Sequence, residues 1–230
     1  ESVKTEKSVS IKAENIDADK WVLNCLNGTI DLRSGTIRTN SIQDLITKQV
    51  PVEYDEEANC PLWIAFLERI MGGNQELIRF LQKAVGYSLT GSTREQCLFI
   101  LYGSGSNGKS VFSNTIEALL ADYAQKTPTD TLLAKKNESI RNDIARLKGA
   151  RFVTASEINQ GRALDEALIK QMTGGDKLTA RFLHGEFFEF LPEFKLFLAT
   201  NHKPRIQGTD HGIWRRIWLI PFTLTIPKKN

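Results

Sequence analysis

Cysteine is scarce in this chain of 230 residues. Cys25, Cys60 and Cys97 stand far apart and form no C-x-x-C pair. That excludes a disulfide framework and a thiolate zinc site, and it points to reduced thiols in a cytoplasmic setting rather than to a secreted protein. No run is long and apolar enough to cross a bilayer, no signal peptide is visible, and no internal repeat occurs. A strong excess of one charge is missing too: 30 Lys and Arg against 27 Asp and Glu give a net charge of +3. So small a bias is compatible with a nucleic-acid channel without requiring one. What is present is 41% apolar residues, enough for a packed core and too much for a disordered chain. The chain opens on Glu1 and stops on a Lys-rich tail after Pro227, and is expected to be a piece of a longer polypeptide.

The most informative stretch is Gly103-Ser104-Gly105-Ser106-Asn107-Gly108-Lys109-Ser110, which fits G-x-x-x-x-G-K-[ST]. The apolar, β-prone run Cys97 to Tyr102 precedes it, and Val111 to Ala121 reads as a helix. Strand, glycine loop and helix is the context in which this pattern holds nucleotide phosphates. Glycines let successive backbone N–H groups turn inward around an anion, and the helix points its positive end at the same place. Lys109 adds a cation for the β- and γ-phosphates, and the Ser110 hydroxyl is placed to coordinate Mg²⁺.

The rest of the chain reads around that loop. Residues 1 to about 20 are polar and aperiodic, and are expected to be a flexible lead-in. Trp21 to Leu26 and Thr29 to Leu32 read as strands joined by a turn at Asn27-Gly28, opening a small β-meander. Pro61 starts a helix with Leu62, Ile64, Ala65, Phe66, Ile70 and Met71 on its apolar side, ended by Gly72-Gly73. A second helix covers about Gln75 to Ser88. This cap over residues 21–91 precedes a core over residues 92–226 and a tail at 227–230. Within the core follow a polar segment from Lys126 to Asn137, a short helix from Ile140 to Leu147, and a strand from Arg151 to Ala155. Then come a helix from Leu164 to Met172 ending at Gly174-Gly175, and hairpin arms around His184-Gly185. A strand from Phe194 to Ala199 and an apolar stretch from Ile213 to Phe222 complete it. Alternating strands and helices predict an α/β fold with a mainly parallel sheet between helices.

Cleavage of a γ-phosphate needs a metal, a positioned water, a base and charge neutralisation. Glu157 ends an apolar strand, where ligands of parallel sheets sit. It is suited to orient or deprotonate water and to support Mg²⁺ through a water. Asn201 ends the strand from Phe194, and its amide can donate to a phosphate and accept from water. The other reading of Asn201 is a cap for the turn His202-Lys203-Pro204. The aromatic arm Phe187-Phe188-Phe190 reads as core rather than as a platform for bases.

Taken in order, Gly105 to Ser110, Ala155-Ser156-Glu157, Thr173-Gly174-Gly175-Asp176, Ala199-Thr200-Asn201-His202-Lys203-Pro204 and Ile213-Trp214-Arg215-Arg216-Ile217 resemble a superfamily 3 helicase. The chain is most similar to the helicase half of phage and plasmid primase-helicases. The resemblance spans roughly residues 20 to 226, with one departure: Ser156-Glu157 stands where many phosphate-loop ATPases carry an acidic pair. It implies an AAA+-like P-loop core working as a ring, commonly a hexamer, that encircles DNA and binds ATP between subunits. It implies Asn201 as polar sensor, Glu157 as catalytic acid of the second motif, and Arg216 as the arginine finger on a neighbour's γ-phosphate, with Arg215 as runner-up. Lys170 stands where the family tends to carry a lysine near the nucleotide. Residues 174–190 match the DNA-contacting hairpin, with Lys177, Arg181 and His184 as its polar contacts. The implied activity is ATP-driven DNA unwinding. A phosphate-loop ATPase that acts as a protein-assembly or packaging switch is the alternative. A small-molecule kinase fits less well, because no arginine-rich lid follows the third core strand.

Overall fold

Strands that are apolar on both faces must be covered on both, and this dictates the layering. The computed structural model describes residues 11–134 and 142–227. Three short strands come first: β1 (Val22–Cys25), β2 (Gly28–Asp31) and β3 (Thr36–Arg38). Helices α1 (Pro61–Ile70) and α2 (Gln75–Leu89) follow. Then come β4 (Leu98–Tyr102), α3 (Lys109–Leu120), β5 (Ala124–Lys126), α4 (Asn142–Ala145), β6 (Phe152–Ser156) and α5 (Glu166–Thr173). The chain ends with the hairpin β7 (Leu178–Ala180) and β8 (Phe188–Phe190), then β9 (Lys195–Thr200), α6 (His211–Trp214) and β10 (Ile217–Pro221).

Five strands form one sheet in the order β10-β4-β9-β6-β5, all paired in parallel. Phe99 and Leu101 of β4 face one side and pack with Phe152, Phe197 and helices α1 to α3. Leu98 and Ile100 face the other and pack with Val153, Leu196, Leu198, α5 and the hairpin. Near-continuous apolar runs are the signature of strands buried on both faces. Phe197 anchors the first side, with its ring centroid 4.7 Å from Phe99 and 4.5 Å from Phe152. The expected α/β architecture with a parallel sheet between helices is therefore present.

Four local readings change. The lead-in is bonded into the body from Asp17 onward: its carboxylate accepts from the Thr47 amide at 2.7 Å, and Lys20 O accepts from the Gly91 amide at 2.8 Å. Residues 1–10 lie outside the described residues. The first hairpin turns one residue early, at Leu26-Asn27, with Cys25 opposite Gly28. The cause is Asn27, whose amide exchanges two 2.9 Å hydrogen bonds with the backbone of Tyr54 and is committed there. In α1 the buried side is Leu67 and Ile70 with Trp63 and Phe66 beside them, whereas Leu62 and Ile64 are exposed. Positions 63, 66, 67 and 70 share one helical face, and 62 and 64 fall on its flanks. The helix expected from Ile140 is found at Asn142–Ala145, and residues 140–141 lie outside the described residues, as do the end of the polar segment before it and the tail at 228–230.

Two buried basic side chains at the amino ends of the strands hold the meander and α2 to the sheet. Arg151 donates to Val22 O and Leu89 O, both at 2.7 Å, and to Asp19 O at 3.2 Å, with its guanidinium 4.6 Å from the centre of the Tyr123 ring. Lys195, 1% exposed, donates to Thr90 O, to Ser92 O at 3.3 Å and to Glu193 O at 3.2 Å. Burial, with the Arg151 charge added, holds the Lys195 amine down at about 7. Between that value and the ordinary 10.5 the unfolded chain keeps a proton that the folded chain has released. Stability is therefore expected to rise with pH through this window. Denaturation of wild type and Lys195→Met at both ends of the window checks it: the wild type should gain on the variant toward the alkaline end, and a constant difference would refute it.

Candidate functional site

The glycine loop leaves β4 at its carboxyl end and enters α3 at Lys109. Parallel pairing sets Tyr102 beside Thr200, and Ser156 beside Ala199, so the ends of β4, β9 and β6 are level. Gly103 permits a close approach: a Cβ there would lie 2.1 Å from Phe222 O. Gly108 has φ of 89° and would place a Cβ 2.6 Å from Ile70 Cγ2, so α1 backs the loop and only glycine fits. Asn107, 3% exposed, donates to Phe222 O at 2.9 Å, and Ser106 O accepts from the Ile226 amide at 2.6 Å. The chain beyond β10 thus holds the loop, Ser104 and Gly105 included, in an open cup.

Lys109 is buried in that cup. Its ammonium donates to Gly103 O at 2.6 Å, Asn107 Oδ1 at 3.0 Å and Asn201 Oδ1 at 3.0 Å. Burial lowers its pKa. The turn after β9 is capped by Thr200, whose hydroxyl donates to His202 O at 2.7 Å and accepts from the His202 amide at 3.2 Å. The Asn201 amide, one residue on, reaches the lysine instead of the turn.

Glu157 follows β6 with φ of 68°, and its amide donates to Ala199 O at 2.9 Å. The left-handed conformation costs a non-glycine residue on the order of 1 kcal/mol, and such strain gathers where a side chain must be aimed. Its exposed side chain lines a cleft of about 390 Å³ together with residues 105–111, Ser156 and residues 199–201. Ser110, Ser156 and Ala199 also border a second cleft of about 420 Å³, which contains Glu117, Lys126, Thr154 and Arg146. The Glu117 carboxylate there is 2.9 Å from Lys126 Nζ and accepts from Thr154. These residues were missed from sequence, although Ser110, Ser113, Asn114 and Glu117 form a polar stripe at helical spacing. Among the described residues no group of three or more His, Cys, Asp and Glu could hold a metal. Ser110 and Glu157 are among the oxygen-bearing side chains that line the cleft, and such a hard, oxygen-only set fits Mg²⁺, an ion that keeps several waters and takes the rest of its shell from phosphates.

The other expected site residues lie elsewhere. Lys170 reaches both oxygens of Asp210 at 2.9 Å and does not line the cleft. Arg215 and Arg216 precede β10, and Arg216 O accepts from the Leu98 amide at the start of β4. They stand at the amino end of the sheet, opposite the loop. Lys177 pairs with Glu189 at 3.4 Å on the hairpin arms, and Arg181 lies 4.8 Å from the centre of the Phe187 ring. His184 occupies the turn with φ of 61°. The aromatic arm divides: Phe190 is buried, Phe188 is half-buried, and Phe187 is 60% exposed beside exposed Phe182 and Leu183. Strand alternation turns Phe190 inward, whereas Phe187 precedes the paired arm and has no facing layer.

With this geometry in place, comparison with known proteins gives the family. Residues 101–216 match the family described as "Family of unknown function (DUF5906)". The chain belongs to that family. Residues 2–72 also match the description "D5 N terminal like". A protein of Acanthamoeba polyphaga mimivirus named "Putative helicase" is 31% identical over 90% of this chain and 22% of its own length. Another of that name, from Invertebrate iridescent virus 6, is 28% identical over 92% of this chain and 23% of its own. A "Putative primase" of African swine fever virus is 27% identical over 77% of this chain and 16% of its own. The chain thus spans less than a quarter of these relatives. In fold it is similar to the NrS-1 C-terminal region, with a TM-score of 0.52, 14% identity, and coverage of 76% of this chain and 39% of that one.

Lys109→Met keeps the packed stem and removes the charge. Binding of a fluorescent ATP analogue is expected to weaken by about tenfold or more with little change in melting temperature. Unchanged affinity would remove the loop from the site.

Proposed function

We propose that this DUF5906 member is the ATPase core of a replication primase-helicase, a P-loop, AAA+-like superfamily 3 module. It hydrolyses ATP between the copies of a ring, commonly a hexamer, and drives DNA through it. The observation that carries this reading is the convergence of Lys109, Asn201 and Glu157 on one cleft from three parallel strand ends. The names of the viral relatives support a role in replication.

In this reading the loop amides and the start of α3 bind the phosphates, and Lys109 leaves its three oxygen partners in part to meet the β- and γ-phosphates. The Ser110 hydroxyl, and Glu157 through water, would hold Mg²⁺, which would supply neutralisation of charge on the phosphates. Glu157 takes the proton of the attacking water, and Asn201 orients that water or the γ-phosphate.

The position of the arginines supports action between copies. A five-residue strand spans about 17 Å, so an arginine at the foot of β10 is remote from the loop of its own chain. Arg215 is exposed with one hydrogen bond, to Gln96, whereas Arg216 is 8% exposed and bonded to Thr173 and Gly212. Arg215 is therefore the better candidate for the finger, reversing the order expected from sequence. Exposed Trp214 and Trp218 flank it, in keeping with the enrichment of Trp and Arg at interfaces. On the hairpin, Lys177, Arg181 and His184 supply charge for phosphates, and exposed Phe182 and Phe187 supply flat faces for bases.

Two measurements test the reading. Arg215→Ala and Lys109→Ala subunits, each inactive alone, are expected to regain part of their ATP hydrolysis when mixed, because some seams then hold both residues. No regain in confirmed mixed rings would exclude a finger acting in trans. Combined Lys177→Ala, Arg181→Ala and His184→Ala should abolish single-stranded DNA binding while ATP binding persists. Unchanged stimulation of hydrolysis by DNA would shift the reading to a protein-assembly switch.

A further inference from the structure

Arg216 joins three elements. Its Nε donates to Thr173 Oγ1 at 3.2 Å, and its Nη1 donates to Gly212 O in α6. Thr173 is the last residue of α5, 2% exposed, and its hydroxyl donates back to Ile169 O at 2.7 Å. That hydroxyl has one proton, already given to the helix, so toward the guanidinium it serves as acceptor.

The helix that Arg216 grips is the root of the hairpin. Gly174 follows Thr173, and Gly174 O accepts from Thr93 Oγ1 at 3.4 Å. Gln171 Nε2 donates to Lys177 O at 3.0 Å, just before β7. At its other end α5 holds the segment leading to the arginines: Glu166 Oε1 accepts the amides of Gln207 at 2.6 Å and Gly208 at 2.8 Å. Lys170 grips Asp210, whose carboxylate also caps α6 by accepting from the Ile213 amide at 3.2 Å. Eight helical residues span about 12 Å. Along that length α5 is bonded to the arginine-bearing segment at three places and to the hairpin root at one.

We propose that Arg216 is a positioning residue that, through Thr173, locks the exposed Arg215 to the root of the β7–β8 hairpin, so that α5, α6 and the hairpin shift as one piece. This rests on the reading of Arg215 as the arginine acting on a neighbouring copy and of the hairpin as the DNA contact. A displacement of Arg215 at an adjacent nucleotide passes to the hairpin because close-packed elements joined by directional bonds move as a body rather than deform. Lys170 gains a role too: it belongs to this brace within the chain, not to a nucleotide contact.

The test uses variants that spare both the cleft and the hairpin surface. Thr173→Val keeps the volume and removes the acceptor, and Gln171→Leu cuts the second link. In the full chain, ATP hydrolysis is measured with and without a single-stranded DNA oligonucleotide, and affinity for the same oligonucleotide by anisotropy. Basal hydrolysis and DNA affinity should stay within about twofold of wild type, while stimulation by DNA falls by about tenfold in Thr173→Val. Stimulation equal to wild type in Thr173→Val and Gln171→Leu would overturn the proposal and leave the helicase reading standing. A wild-type chain that binds ATP but ignores DNA would overturn both.

Discussion

The site depends on the seat of one strand. β9 hydrogen-bonds to β4 on one side and to β6 on the other, always in parallel. That places its last residues between the glycine loop and Glu157, and level with both. Asn201 can then reach the Lys109 ammonium, and Ala199 O can hold the Glu157 amide. If β9 lay at an edge, the loop and the carboxylate would stand on adjacent strands with no polar group between them. The aromatic contacts of Phe197 with Phe99 and Phe152 fix this order from within the core.

Much of this was legible in the sequence, because the signals were local. A glycine loop between a strand and a helix, apolar runs at strand length, and Gly-Gly after helical periodicity each reflect a few neighbouring residues. The failures have a different origin. The first turn moved because Asn27 is claimed by Tyr54, a contact 27 residues away. Leu62 and Ile64 are apolar yet exposed, because helical phase and not apolar content decides which residues of α1 turn inward. Phe187 is exposed although its arm reads as core, because strand alternation says which side a residue faces, not whether a layer covers that side. The second cleft escaped notice since its residues come from α3, β5, β6 and the turn after α4, which only the fold assembles.

The arginine pair shows how exposure separates two adjacent residues of the same type, and it favours Arg215 where the sequence ranked Arg216 first. The two positions lie in the turn between the end of α6 and the start of β10. Arg216 is drawn inward to Thr173 and Gly212, and Arg215 is left outward against Gln96. The two ends of the sheet accordingly have separate proposed tasks. In the proposal, phosphate chemistry belongs to the carboxyl ends, and contact with a neighbour and with a polymer to the amino ends.

Arg151 and Lys195 grip the amino-terminal region through the main-chain oxygens of Asp19, Val22, Leu89, Thr90 and Ser92, with one side-chain contact, the Tyr87 ring centre 4.7 Å from Lys195 Nζ. Every amino acid supplies such an oxygen, whatever its side group. At those five positions these bonds are consequently indifferent to the side chain, so long as the backbone path is kept, and Tyr87 is the position where the side chain counts. A core of this design is free to accept front pieces of different sequence wherever the backbone path and the ring at position 87 are kept.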